Sequence, residues 1–198
     1  MRFRLLALVL ATLIVCTTGS FAQSFDQQLR WCNALDGASP DQIISGCTAV
    51  IQSNKVNTLN LALVLNRRGN IYNGKGQYDL ALQDFDHSIR LNPRDGGVFY
   101  NRGNSYNMKG SYDRAIQAYE QAIRLNPNFV DAFVARGVAY YGKGQYDRAI
   151  QDYDQAIRLQ PNNALAFQNR STAKIKKNDV AGANADIARA KQLNPNIK

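Results

Sequence analysis

Apolar positions in this chain follow two rhythms, one helical and one of 34 residues. Residues 99–127 read FYNRGNSYNMKGSYDRAIQAYEQAIRLNP, and nearly the same words stand at 65–93 and 133–161. A worn fourth copy covers 167–195. Gly69, Gly103 and Gly137 are spaced 34 apart, as are Pro93, Pro127, Pro161 and Pro195. A fixed period of this length predicts an all-α solenoid of stacked helical hairpins, in which each copy covers its neighbour's apolar face.

Within one copy the pattern predicts two helices. Phe99, Gly103 and Tyr106 recur at helical spacing in the first, and Ala115, Tyr119 and Ala122 in the second. Ile116, Ile123 and Leu125 widen the second stripe. Lys109-Gly110 reads as the first helix's end, a cation followed by a residue free to take positive φ. Ser111 is positioned to cap the second helix. Asn126-Pro127 closes the unit, since proline pushes its predecessor out of the α region. Glycine inside a helix costs about 1 kcal/mol, so Gly69, Gly103 and Gly137 are expected at close helix contacts.

Charged residues keep the same period. Asp86/Arg90, Glu120/Arg124 and Asp154/Arg158 have i,i+4 spacing and predict ion pairs on a solvated face. Arg68, Arg102, Arg136 and Arg170 form a second column, open to an acidic ligand or to internal pairing with acids such as Asp84 and Asp152.

The flanks differ. Residues 23–61 read as an atypical opening hairpin, with a helix from Phe25 to Asp36 ended by Gly37. A second helix is announced by Ser39-Pro40-Asp41-Gln42, the pattern of a capping box. The run LNLALVL at 59–65 is apolar nearly all round, which suits a helix covered on both sides. In the last copy Ser171 replaces the glycine and Lys174 the tyrosine. Asn178 takes the turn position and Asp179 the cap. Residues 164–198 therefore read as a degenerate capping copy.

The repeated columns resemble the tetratricopeptide repeat (TPR), whose motif is W-x2-L-G-x2-Y, then A-x3-F, then P. Leu65, Gly69, Tyr72, Ala81, Phe85 and Pro93 match in the first copy. Phe99, Gly103, Tyr106, Ala115, Tyr119 and Pro127 match in the second, and Phe133, Gly137, Tyr140, Ala149, Tyr153 and Pro161 in the third. An arginine precedes each of these glycines where the family often has leucine. The resemblance implies a right-handed superhelix with units at 62–95, 96–129, 130–163 and 164–198. It also implies a concave face lined by first helices. On that face would lie Asn66, Asn70, Asn73, Tyr100, Asn101, Asn104, Asn107, Val138, Tyr141, Gln168 and Thr172. Chaperone-binding members clamp a C-terminal carboxylate with Lys, Asn and Arg. Asn70 and Asn101 match the clamp's asparagines, but Asn66, Asp131 and Ala135 stand where its cations would be, so that specificity does not carry over.

Composition adds a destination. Arg2 and Arg4 precede an apolar run at residues 5–15, too short for a bilayer span of roughly 20 residues. Ser20-Phe21-Ala22 then suits cleavage after Ala22. Residues 1–22 thus read as a cleaved signal peptide, exporting the rest to a bacterial periplasm. Cleavage takes away two of the nine net positive charges, and Cys16. Cys32 and Cys47 remain, at comparable heights on the opening hairpin. In an oxidising compartment they form a disulfide; otherwise they are two buried thiols.

Nothing in the sequence assembles catalysis. The single histidine, His87, sits in mid-helix without a nucleophile or metal partner, and Gly74-Lys75-Gly76 is a helix turn rather than a phosphate loop. No enzyme activity, cofactor or metal is expected. Carboxamides can both donate to and accept from a peptide backbone, and tyrosines give flat apolar anchors. The favoured function is an adaptor or scaffold whose concave groove holds an unknown peptide or protein segment. The alternative is a basic module on anionic lipid headgroups or wall polymer. Nucleic acid is an unlikely partner for an exported chain.

Overall fold

The computed structural model describes residues 24–196. Among these every regular element is helical. The opening hairpin pairs α1 (Phe25–Cys32) with α2 (Pro40–Gln52). Four hairpins follow: α3 (Thr58–Gly74) with α4 (Tyr78–Leu91), α5 (Gly96–Met108) with α6 (Tyr112–Leu125), α7 (Val130–Gly142) with α8 (Tyr146–Leu159), and α9 (Ala164–Lys176) with α10 (Val180–Leu193). Each helix packs on the one before and the one after it. First helices also touch along the stack, α1 to α3, α3 to α5, α5 to α7 and α7 to α9, whereas second helices do not touch one another. The stack therefore curves, and its inner side is built from first helices. Residues 1–22, read above as a signal peptide, lie outside the described part.

Glycine permits the tight pairing. A Cβ built on Gly69 would stand 2.7 Å from the Phe85 ring, on Gly103 2.5 Å from Tyr119, and on Gly137 2.6 Å from Tyr153. Phe85, Tyr119 and Tyr153 are almost fully buried as a result. In the fourth hairpin the same two columns carry Ser171 and Ile187, a larger residue matched with a smaller partner. Gly76, Gly110, Gly144 and Asn178 make the hairpin turns at positive φ.

Several local expectations give way to longer-range contacts. α1 stops at Cys32, not Asp36, because Ala34 and Asp36 take left-handed φ and a 3-10 turn spans Leu35–Gly37. Asp36 is drawn to Arg30 instead. Ser39 and Gln42 do form the capping box, and Asp179 caps α10. Ser111 makes no capping hydrogen bond. Ala62, Val64 and Leu65 of the apolar run are buried, but Leu59 and Leu63 are exposed.

The i,i+4 ion pairs are absent among the described residues, and the arginine column takes two of their acids, Asp86 and Asp154. Arg68 grips Asp84, Arg136 grips Asp152 and Arg170 grips Asp186, each through two guanidinium nitrogens. Arg102 reaches back to Asp86 at 3.0 Å, and Arg170 also reaches back to Asp154 at 2.6 Å. The column is internal mortar between and within hairpins, not a strip facing a ligand. A second, more exposed ladder joins Lys75 to Asp41, Lys109 to Asp79, Lys143 to Asp113 and Lys177 to Asp147. Each rung ties a hairpin turn to the hairpin before it. Such exposed pairs are worth at most about 1 kcal/mol each.

The sulfurs of Cys32 and Cys47 meet at 2.13 Å between fully buried residues, with Cα atoms 4.5 Å apart. Gly46 allows the approach: a Cβ there would lie 2.5 Å from the Gln28 carbonyl oxygen.

Candidate functional site

The inner face carries the carboxamides in two states, those committed to the scaffold and those left over. Asn101 donates to Asn66 at 3.0 Å, linking α5 to α3. Ser105 donates to Asn73 at 2.9 Å, a second link between the same helices. These three asparagines are half-buried, and their shared bonds register neighbouring hairpins. Asn70 is exposed and makes no side-chain hydrogen bond among the described residues.

Asn104 is different. Its Oδ1 accepts from the Tyr119 hydroxyl at 2.8 Å. The ring of Tyr119 is buried beneath it, and burial pushes that hydroxyl's pKa well above the ordinary tyrosine value. The hydroxyl stays a donor at any physiological pH. Asn104 is therefore held by its oxygen, with its two amide N–H donors uncommitted. It lines two depressions at once. One, about 340 Å³, runs between α5, α7 and α9 past Tyr100, Val134, Val138 and Leu165. The other, about 430 Å³, lies toward α3 and is walled by Asn73, Tyr78 and Met108. Asn107 borders both, and its Oδ1 is buried without a hydrogen-bond partner.

The aromatic candidates divide. Tyr100 packs between Tyr119 and Phe129, with ring centroids 5.9 and 5.0 Å away, and lines the first depression. Tyr141 packs on Tyr146 at 5.3 Å and borders neither depression. The sequence pattern gave no prominence to Leu165, Asn169 or Met108, which do line them. All three sit at 34-residue spacing from positions on other first helices, which was the available signal. Among the described residues no cluster of His, Cys, Asp and Glu is arranged to hold a metal ion.

A curved stack of antiparallel hairpins with first helices on its inner wall defines a helical-repeat solenoid. The chain belongs to the tetratricopeptide repeat family. A tetratricopeptide repeat model matches residues 62–95 and 130–163, a second matches 85–117, and a TPR repeat model matches 103–144. Among solved structures, MamA superposes with a TM-score of 0.75 at 22% identity, covering 83% of this chain and 94% of that one. MamA 41-end from Desulfovibrio magneticus RS-1 gives 0.75 at 21% identity, over 86% and 96%. The first TPR of Spaghetti (RPAP3), bound to the HSP90 peptide SRMEEVD, gives 0.59 at 26% identity, over 63% and 98%. No curated protein matches this chain significantly in sequence.

Proposed function

We propose that this chain is a non-catalytic adaptor that holds an extended segment of another protein in its inner groove. The observation that carries this is Asn104, locked by Tyr119 with its donors free where two groove depressions meet. A donor fixed in advance loses little entropy when it meets a peptide carbonyl. The HSP90 peptide bound by the first TPR of Spaghetti (RPAP3) supports a peptide as the guest here. The export signal read in residues 1–22 supports a periplasmic setting for the adaptor, and an oxidising compartment suits a disulfide between Cys32 and Cys47.

One observation favours a second role on anionic lipid or wall polymer. Arg90, Arg124 and Arg158 stand exposed at repeat spacing on the second helices, with their neighbouring acids Asp86 and Asp154 turned toward Arg102 and Arg170.

Affinity capture from an envelope extract separates the two. Asn104→Asp keeps the acceptor for Tyr119 and removes the donors. The adaptor role predicts a partner held by wild type at physiological salt and lost by Asn104→Asp with an unchanged melting temperature. Retention that ignores Asn104→Asp but collapses with salt assigns the arginine face instead.

A further inference from the structure

We infer that the depression between α1 and α3 is an anchoring subsite for an acidic peptide segment. It takes one large apolar side chain while Lys55 and Arg67 hold the carboxylate of a neighbouring residue. The inference rests on the inner groove being a peptide site.

The depression has a volume of about 470 Å³ and lies upstream of the asparagine-lined part of the groove. Phe25 and Leu29 wall it from α1, and Leu63 and Val64 from α3. Leu63 is 52% exposed although it sits beside buried Ala62 and Val64. That uncovered apolar surface is what a guest side chain would remove from water.

Charge complementarity selects the guest. Lys55 and Arg67 line the depression, and among the described residues no carboxylate does. The ladder lysines and the column arginines are all matched to aspartates. Among the described residues Lys55 and Arg67 are in no ion pair. The Lys55 ammonium lies 5.0 Å over the Phe25 ring. Arg67 is braced through one nitrogen, Nη1, which donates to the Cys32 carbonyl at 3.0 Å and to Asn33. Its remaining guanidinium donors have no hydrogen-bond partner among the described residues and suit a planar carboxylate.

The wall is preorganised. Cys32 sits at the end of α1 and is joined to α2 through Cys47. The volume suits one or two side chains and falls short of a two-tailed lipid. α3 continues past Arg67 to exposed Asn70, so an extended chain leaving the subsite meets carboxamides.

The test is a random dodecapeptide phage library selected on the full chain, followed by synthesis of the consensus. Enriched sequences are expected to pair Asp or Glu with a large apolar neighbour. The consensus should bind at least about tenfold more weakly, or 1.4 kcal/mol, to Lys55→Glu/Arg67→Glu and to Leu63→Ser. Leu63 is exposed, so its variant keeps the test alive if the charge reversal misfolds. Enriched peptides without an acid–apolar pair overturn the subsite. So does binding that survives these variants but fails with Asn104→Asp, while the groove itself then stands. No enrichment at all overturns both. Wild-type binding to phosphatidylglycerol vesicles, without peptide enrichment, assigns the cations to lipid and also overturns the subsite.

Discussion

Arg102 has Ala118 at the position where Arg68, Arg136 and Arg170 have Asp84, Asp152 and Asp186. Its Nε is buried with no hydrogen-bond partner, and its one ion pair reaches back to Asp86 in the preceding hairpin. The second hairpin thus lacks the internal clasp that the others possess.

Ala118→Asp should supply it. An acid introduced at a fully buried alanine is ordinarily severely destabilising. Here the guanidinium is already in place, and a buried donor left unmatched costs about 1–3 kcal/mol. The expected outcome is a chain at least as stable as wild type, by up to about 1 kcal/mol. Ala122→Asp, one turn on and equally buried, should lose several kcal/mol. Urea melts of both variants decide; equal losses would sink the clasp.

Gly137→Ala should destabilise by about 1–3 kcal/mol through overpacking, despite alanine's better helix propensity. The added methyl meets the Tyr153 ring. Tyr153→Ile should recover part of that loss in a double-mutant cycle, because the fourth hairpin uses Ser171 with Ile187 in these columns. Strict additivity of the two changes would show that glycine and ring do not meet.

Acid should act on the clasps unequally. Burial raises the Asp186 carboxyl, but hydrogen bonds from Arg170 and Lys174 outweigh it, and the pKa sits below the ordinary value. Its contribution is present above about pH 4 and is lost as pH falls through the folded value. Burial dominates at Asp152, whose pKa rises despite Arg136, so lowering the pH relieves a cost there. Between pH 7 and pH 3, Asp186→Asn should flatten the fall in melting temperature and Asp152→Asn should steepen it. The check is a set of thermal melts across that range; identical slopes would contradict the assignment.

Reduction should soften one end of the stack. A bridge from Cys32 to Cys47 spans 15 residues and is worth about 3 kcal/mol by loop entropy. Adding reductant should raise amide exchange in α1 and α2 and leave α7 to α10 unchanged. A free-thiol titration of the oxidised chain that finds two reactive cysteines would remove the bridge.

The helices and their pairing were legible because Gly69, Gly103 and Gly137 repeat in register with Phe85, Tyr119 and Tyr153. What was not legible depends on partners far apart along the chain. Asp86 and Asp154 have an arginine four residues on, yet each is claimed by another from the next hairpin. Spacing within one helix carries no trace of that competition. The asparagine row was visible as composition, but its division was not. Asn66 is engaged by a residue 35 positions away, and Asn104 by a tyrosine beneath it. The α1–α3 depression was hidden because an all-round apolar run reads as covered on both sides, whereas Leu63 is left open.

Every rung of the lysine–aspartate ladder has its cation on the later hairpin and its anion on the earlier one. The connection has a grammatical direction: each clause refers to the one before. A polypeptide emerging amino-terminus first therefore lays down every acid before the ammonium that will seek it, so each newborn hairpin arrives to find its berth already built.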